Sequence, residues 1–194
     1  MPTDPPAPPR QTERLFLALL PSPEALAHIE RLRASLHSEL GLIGAPIPRE
    51  RLHLTLHFLG DHAGPPESLV AGIVRVAATV AQRQPAFELR LDRLRSFARP
   101  RGRRPLVLLA APGAASLGAL LQDLGTGLAQ AGLPHTPPAT YTPHITLLYD
   151  PQPVQERPLP APIAWTAHDF VLVRSHIGRG SHEVLARWTL RPAP

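Results

Sequence analysis

The spacing of apolar residues changes period along the chain, and each change marks an element. RLFLALL (14–20) is almost continuously apolar and predicts a buried strand. Between Pro23 and Leu40 the residues Leu26, Ile29, Leu32, Leu36 and Leu40 recur every three or four positions. That period predicts an amphipathic helix, with Ser22 as N-cap and Pro23 at the first helical position. GLIGAPIPRE predicts a loop, and RLHLTLHFLG (51–60) a strand ended by Gly60-Asp61. A second unit repeats the plan. Residues 65–82 predict a helix with Leu69, Ile73, Val76 and Val80 on one stripe, and FELRLDRLRSFA (87–98) alternates as a half-buried strand does. After the Arg-rich turn ARPRGRRP come a strand at 106–110 and a helix at 116–131 carrying Leu117, Leu120, Leu121, Leu124 and Leu128. The Pro-studded loop LPHTPPATYTP leads to a strand at 144–150 and a Pro-rich connection at 151–162. Strands at 163–173 and 183–190 close the chain. Strands, three helices and long loops predict an α+β fold with mainly antiparallel sheet. Residues 1–12 are Pro-rich and read as a flexible arm, leaving 13–194 as a single domain.

Composition narrows the chemistry. Hydrophobic residues make up 43% of 194, enough for a core, so disorder of the whole chain is excluded. No apolar run approaches the roughly 18 residues of a membrane span, so no membrane partner is expected. The opening MPTDPPAPPRQTE has neither an apolar stretch nor a small-residue cleavage site, so no secretory leader is expected. There is no cysteine, which removes disulfides, thiol nucleophiles and Cys-based metal sites and makes cytoplasmic residence the default expectation. There is no lysine either, so all 20 basic residues are Arg. Schiff-base chemistry, a lysyl adenylate and a Walker-type phosphate loop are therefore excluded. A net charge of +5 suits a phosphate-rich partner, or simply a solvated basic face. Ten histidines point to proton transfer near neutral pH.

Two tetrapeptides repeat. His53-Leu54-Thr55-Leu56 and His144-Ile145-Thr146-Leu147 both read His, aliphatic, Thr, Leu. One such tetrapeptide is expected about 0.02 times in a chain of this composition, so the pair is far from chance. On a strand, side chains alternate faces, so His and Thr of each motif point one way and the aliphatic residues into a core. Residues i and i+2 lie roughly 7 Å apart, so an imidazole and a hydroxyl at that spacing converge on one tetrahedral group. Two such strands would surround a phosphate with two imidazoles and two hydroxyls. One neutral His can take a proton from water and one protonated His can give a proton to the leaving oxygen. The Thr hydroxyls can donate to the non-bridging oxygens. Neither motif contains Asp or Glu, so a two-His metal site would need distant carboxylates; no metal or other cofactor is expected. Two unperturbed imidazoles would give a bell-shaped rate profile with an optimum at about pH 6–8.

The paired motifs resemble the 2H phosphoesterase superfamily, and within it the RNA 2′,3′-cyclic phosphodiesterases long called 2′-5′ RNA ligases. The resemblance extends to Arg14-Leu15-Phe16-Leu17-Ala18, to HLTLHFLGD (53–61), to PHITLLYD (143–150) and to Leu185-Ala186-Arg187-Trp188, with a step of 91 residues from His53 to His144. It implies a bilobal fold of two pseudo-symmetric halves, two mainly antiparallel sheets with flanking helices and a central cleft. It also implies opening of a terminal 2′,3′-cyclic phosphate on RNA to a 2′-phosphate without metal, by a monomer. His53 would then protonate the 3′ oxygen and His144 activate water, with Thr55 and Thr146 binding the phosphate.

Several residues depart from the family pattern or add to it. His57, four positions after His53, is expected to share the cleft-facing side and to touch RNA or tune His53; a merely exposed histidine is the plainer alternative. Tyr149 stands where many relatives carry Arg, so one phosphate contact is lost or moved. Tyr141 would stack a base or simply pack. Arg104, in the cluster Arg99, Arg101, Arg103 and Arg104, is a candidate backbone contact, against the alternative of a solvated turn. Arg174, His176 and Arg179 form a weaker patch. The same dyad could also run in reverse as a ligase joining a cyclic phosphate to a 5′-hydroxyl, and a non-catalytic RNA-end-binding module is the third reading.

Overall fold

The computed structural model describes residues 12–99, 101–136 and 141–193. The Pro-rich arm lies outside them except for Thr12, whose N–H donates to the His62 carbonyl at 2.9 Å. In chain order the elements are β1 (Glu13–Leu19), α1 (Pro23–Leu40), a 3-10 turn (Arg49–Arg51), β2 (Leu54–His62), α2 (Glu67–Ala81) and β3 (Phe87–Ser96). Then follow β4 (Arg104–Ala110), α3 (Ala115–Gln130), β5 (His144–Asp150), β6 (Arg157–Ala167), β7 (Asp169–His176) and β8 (Ser181–Thr189). The first helix starts and stops where its end signals sit. Ser22 Oγ accepts from Ala25 N at 3.2 Å, Pro23 opens the helix, and Gly41 ends it at φ 62°. No helix among the described residues is long and apolar enough to cross a membrane.

The expected two sheets are two halves of one. The eight strands run β6-β3-β4-β5-β2-β1-β7-β8, every pair antiparallel, and the halves meet at β5–β2. That junction has a single register pair, Leu54 with Ile145, so the two halves of the sheet are joined there by one pair of residues. Pseudo-symmetry is visible in the connections: β1-α1-β2 and β4-α3-β5 each join antiparallel neighbours through a helix. The helices cross over, α1 packing on β6 of the other half and α3 on β2, which ties the halves into one body. The helices cover one face of the sheet, where Leu15, Leu17, Leu54, Leu106, Leu108 and Ile145 join the main core. On the opposite face Phe16, Ala18, Val171 and Val173 form a second, small cluster, and this is the face on which a cleft can open.

The Pro-rich end differs from expectation. The 163–173 stretch is not one strand: it breaks at His168 into β6, paired with β3, and β7, paired with β1 in the other half. Its apolar alternation runs through the break with neither Gly nor Pro to mark it. Part of the expected connection 151–162 is the start of β6. Its ladder jumps from Ile163–Leu91 to Pro158–Arg93, so Pro160 and Pro162 sit in a stretch that bulges out of an edge strand, where a missing N–H costs nothing. The strand expected from residue 51 begins at Leu54, because Arg49–Arg51 form the 3-10 turn.

Candidate active site

The single pair at the junction organises the site. His53 and His144 each stand one residue before it, and Thr55 and Thr146 one residue after it. Continuing the antiparallel register by one residue sets His53 opposite Thr146 and His144 opposite Thr55. All four line one cleft of about 290 Å³. A larger cavity, about 390 Å³, lies between α2 and α3 and contains no histidine, so volume alone does not mark the site.

Both imidazoles are held alike. His53 Nδ1 lies 2.7 Å from the Arg51 carbonyl, and His144 Nδ1 lies 2.7 Å from the Thr142 carbonyl, each two residues upstream. A carbonyl only accepts, so Nδ1 carries the proton and Nε2 is the nitrogen left for a substrate. Phe16 stacks on His53 with centroids 4.6 Å apart, and Phe97 meets His144 edge-on at 4.7 Å. Burial pushes the His53 pKa below the ordinary imidazole value, against the pull of the Arg51 carbonyl, and the charges of His144 and Arg51 push the same way as burial. Burial also lowers His144, opposed by its bond to Thr142. Both rings are therefore predominantly neutral at pH 7 when no anion is bound.

His57 does not share the cleft. Leu17 pairs with His57 and Ala18 with Thr55, so Leu56 is an extra residue in β2, a β-bulge that reverses the alternation after it. Leu56 and His57 both turn away from the cleft, and His57 is 1% exposed. Its Nε2 donates to the Leu121 carbonyl at 2.8 Å and its Nδ1 accepts from Thr136 N at 3.2 Å, so the neutral ring is fully satisfied. It packs on Gly125 of α3, where a Cβ would come within 3.1 Å of its Cε1. The other half has the same bulge: Leu106 pairs with Leu148 and Val107 with Thr146, leaving Leu147 extra. His57 thus occupies the place that Leu148 fills in the second half.

The same bulges return the next residue to the cleft. Phe58 and Tyr149, each three positions after its motif threonine, both line it. Arg14 lies 5.4 Å from the Phe58 ring and Arg99 lies 6.0 Å from the Tyr149 ring. Of the Arg cluster it is therefore Arg99 that approaches the site. Arg104 instead donates to the Pro151 carbonyl at 2.9 Å and does not line the cleft. Tyr141 gives its hydroxyl to the Thr55 carbonyl, strapping the segment before β5 onto β2 with its ring 5.9 Å from His144. Burial raises its phenol pKa further above the ordinary value. In the weaker patch, Arg174 is engaged by Glu183 at 2.8 Å.

Three polar cleft residues carried no signal in the sequence: Arg51, Ser175 and His182. His182 stands edge-on to His53 at 5.3 Å, and burial, then His53 and Arg51, bring its pKa down to about 4. Ser175 and His182, so distant in sequence, come beside His53 only through the pairing of β2 with β1, of β1 with β7 and of β7 with β8. Phe58 could have been found, since it and Tyr149 keep one offset from the two motifs. Among the described residues no group of three or more His, Cys, Asp or Glu side chains is placed to hold a metal ion.

Fold and site together define a two-histidine phosphoesterase built on pseudo-symmetric halves. A family model described as the 2′-5′ RNA ligase superfamily matches residues 21–179, and the chain belongs to that superfamily. It is an enzyme acting on phosphodiester bonds. No curated protein sequence matches the chain. Among solved structures it is similar to TT0787 of Thermus thermophilus, at 26% identity over 93% of this chain and 100% of that one, with a TM-score of 0.74. It is also similar to apo LigT of E. coli, at 28% identity over 94% and 99%, with a TM-score of 0.71. LigT complexed with 3′-AMP matches at 28% identity over 93% and 99%, with a TM-score of 0.69.

Proposed function

We propose that this enzyme hydrolyses the terminal 2′,3′-cyclic phosphate of RNA and leaves a 2′-phosphate. The observation that carries the reading is the matched pair of imidazoles, each tied through Nδ1 to a carbonyl and each set opposite the other motif's threonine. Thr55 and Thr146 donate to the two non-bridging oxygens, where charge builds as water attacks. Neutral His144 accepts the water proton at Nε2. His53, protonated at Nε2, gives its proton to O3′ as the P–O3′ bond breaks. The proton gained by one ring is balanced by the proton lost from the other. That LigT, to which this chain is similar, is found complexed with 3′-AMP supports a nucleotide as the ligand. The cleft is complete within one chain, which supports a monomer, and a cytoplasmic RNA end is its substrate in this reading.

Ligation would run the same steps with a 5′-hydroxyl in place of water, His144 taking the hydroxyl proton as the P–O3′ bond breaks. Water at about 55 M outcompetes a dilute hydroxyl unless a second RNA end is held in place. The deciding assay incubates the protein in EDTA with RNA ending in a 2′,3′-cyclic phosphate and locates the phosphate in the product. Activity should persist in EDTA, since the imidazoles and hydroxyls supply acid, base and charge stabilisation. Activity lost to chelation and restored by a divalent ion would make the histidines ligands instead.

The depressed histidines also set the pH dependence. A free enzyme whose acid and base both titrate below the ordinary imidazole value of 6.5 has a bell-shaped kcat/KM profile centred on the acid side of that value. This is displaced toward acid from the optimum expected from unperturbed rings. Bound substrate is an anion and favours imidazolium, so the kcat profile should be displaced upward from the kcat/KM profile. The limbs belong to the pair, not to single residues. A rate climbing steadily to pH 10 would remove the two-histidine mechanism.

A further inference from the structure

The cleft is not symmetric about its two histidines. Aromatic rings flank both imidazoles, Phe16 against His53 and Phe97 and Tyr141 against His144, so the difference lies in the polar residues. The His53 side of the cleft carries Arg51, Ser175 and His182, from the 3-10 turn, β7 and β8. Ser175 and His182 are register partners on adjacent strands. None of the three is used by the acid–base mechanism, apart from the Arg51 backbone carbonyl.

Two cations line the cleft, and they differ. Arg14 is held by Asp61 through two bonds of 2.7 and 2.9 Å, so its charge is already answered. Arg51 forms no ion pair with the described residues, and its Nε is buried without a hydrogen-bond partner. A buried donor without an acceptor costs stability, and an anion in the cleft would supply the acceptor. A guanidinium presents a planar fork suited to phosphate. Ser175 adds a hydroxyl, and a neutral His182 adds an N–H without a competing charge.

We propose that Arg51, Ser175 and His182 form a second anion subsite beside His53, which binds the phosphate on O5′ of the terminal nucleoside. This rests on the RNA-end reading above, in which the reacting phosphate sits between the two motifs. The phosphate one nucleotide upstream is the nearest second anion of such a substrate. The subsite makes the enzyme select an RNA end over a free nucleoside cyclic phosphate, and it fixes the strand's polarity, with the upstream chain leaving past β7 and β8.

The test is a binding measurement that needs no turnover. Adenosine 2′-monophosphate and adenosine 2′,5′-bisphosphate are titrated against the full chain at low salt. The wild-type protein should bind the bisphosphate roughly ten- to a hundredfold more tightly. In Arg51→Gln that preference should shrink to about twofold or less. Ser175→Ala and His182→Gln should each reduce it by roughly three- to tenfold, and they decide the matter if Arg51→Gln does not fold. Equal affinities in the wild type overturn the subsite. So does a preference that survives Arg51→Gln, or that survives both other variants. A preference that depends on Arg51 in a protein that opens no cyclic phosphate would keep the subsite and overturn the hydrolysis reading instead.

Discussion

Alanine at His53 or at His144 is expected to lower turnover by about 10²–10⁴ while the fold survives. Each ring gives one hydrogen bond to a carbonyl beside an open cleft, so water can replace it when the ring is removed. The double variant should lose much less than the product of the single losses, because acid and base act as a unit. The roles separate with a leaving group that needs no proton. On a nitrophenyl phosphodiester, His53→Ala should recover most of its deficit, while His144→Ala should remain slow because water still needs a base. Steady-state kinetics of both variants on both substrates make the check. A His53 variant equally slow on the nitrophenyl ester would move that residue from acid to binding group, and a near-wild-type rate in either variant would remove it from the dyad.

What the sequence carried was the local part of this site. A strand places i and i+2 on one face whatever surrounds it, so each His–Thr pair was legible from its tetrapeptide. Ser22, Pro23 and Gly41 act on their own helix, so the bounds of α1 could be read as well. The failures have a common physical form. A β-bulge is a relation between two strands, and nothing in LTLHF says that Ala18 will pair with Thr55 while Leu17 pairs with His57. Simple alternation placed His57 in the cleft and left Phe58 out, and one extra residue exchanged them. The break at His168 escaped for a similar reason: β6 and β7 end where their partners β3 and β1 diverge, not where the chain itself changes character. His182 reaches His53 only through three strand pairings, β2 with β1, β1 with β7 and β7 with β8.

The second large effect concerns a residue away from the chemistry. Asp150 ends β5 and is 1% exposed. Its Oδ2 accepts from Ile43 N at 2.8 Å and Gly44 N at 2.7 Å, and its Oδ1 from Gln152 N at 2.9 Å. It thereby clamps the loop after α1, from the first half, onto a strand of the second. Gly44 is required there because a Cβ would lie 2.4 Å from the Tyr149 carbonyl. The same loop continues through Ile47, whose N–H bonds the Leu147 carbonyl at 2.8 Å, to the turn that supplies the Arg51 carbonyl. Asp150→Ala leaves three N–H groups without an acceptor. At about 1–3 kcal/mol for each group that water cannot reach, the loss should be about 3–5 kcal/mol. For a chain of this length that lowers Tm by about 8–15 °C. Asp150→Asn should lose less, since one oxygen still accepts.

The pH dependence of that loss identifies its cause. Burial would raise the Asp150 pKa, but three backbone donors outweigh it and hold it below the ordinary aspartate value. A carboxyl whose folded pKa lies below its unfolded one stabilises the fold above the unfolded value, and that contribution fades as pH falls through the folded value. Wild type should therefore lose stability more steeply in acid than Asp150→Ala, and the gap between them should narrow as the pH is lowered. Denaturant melts of both proteins at neutral and acid pH measure this directly. A gap that stays constant with pH would mean that Asp150 acts through packing and not through its charge.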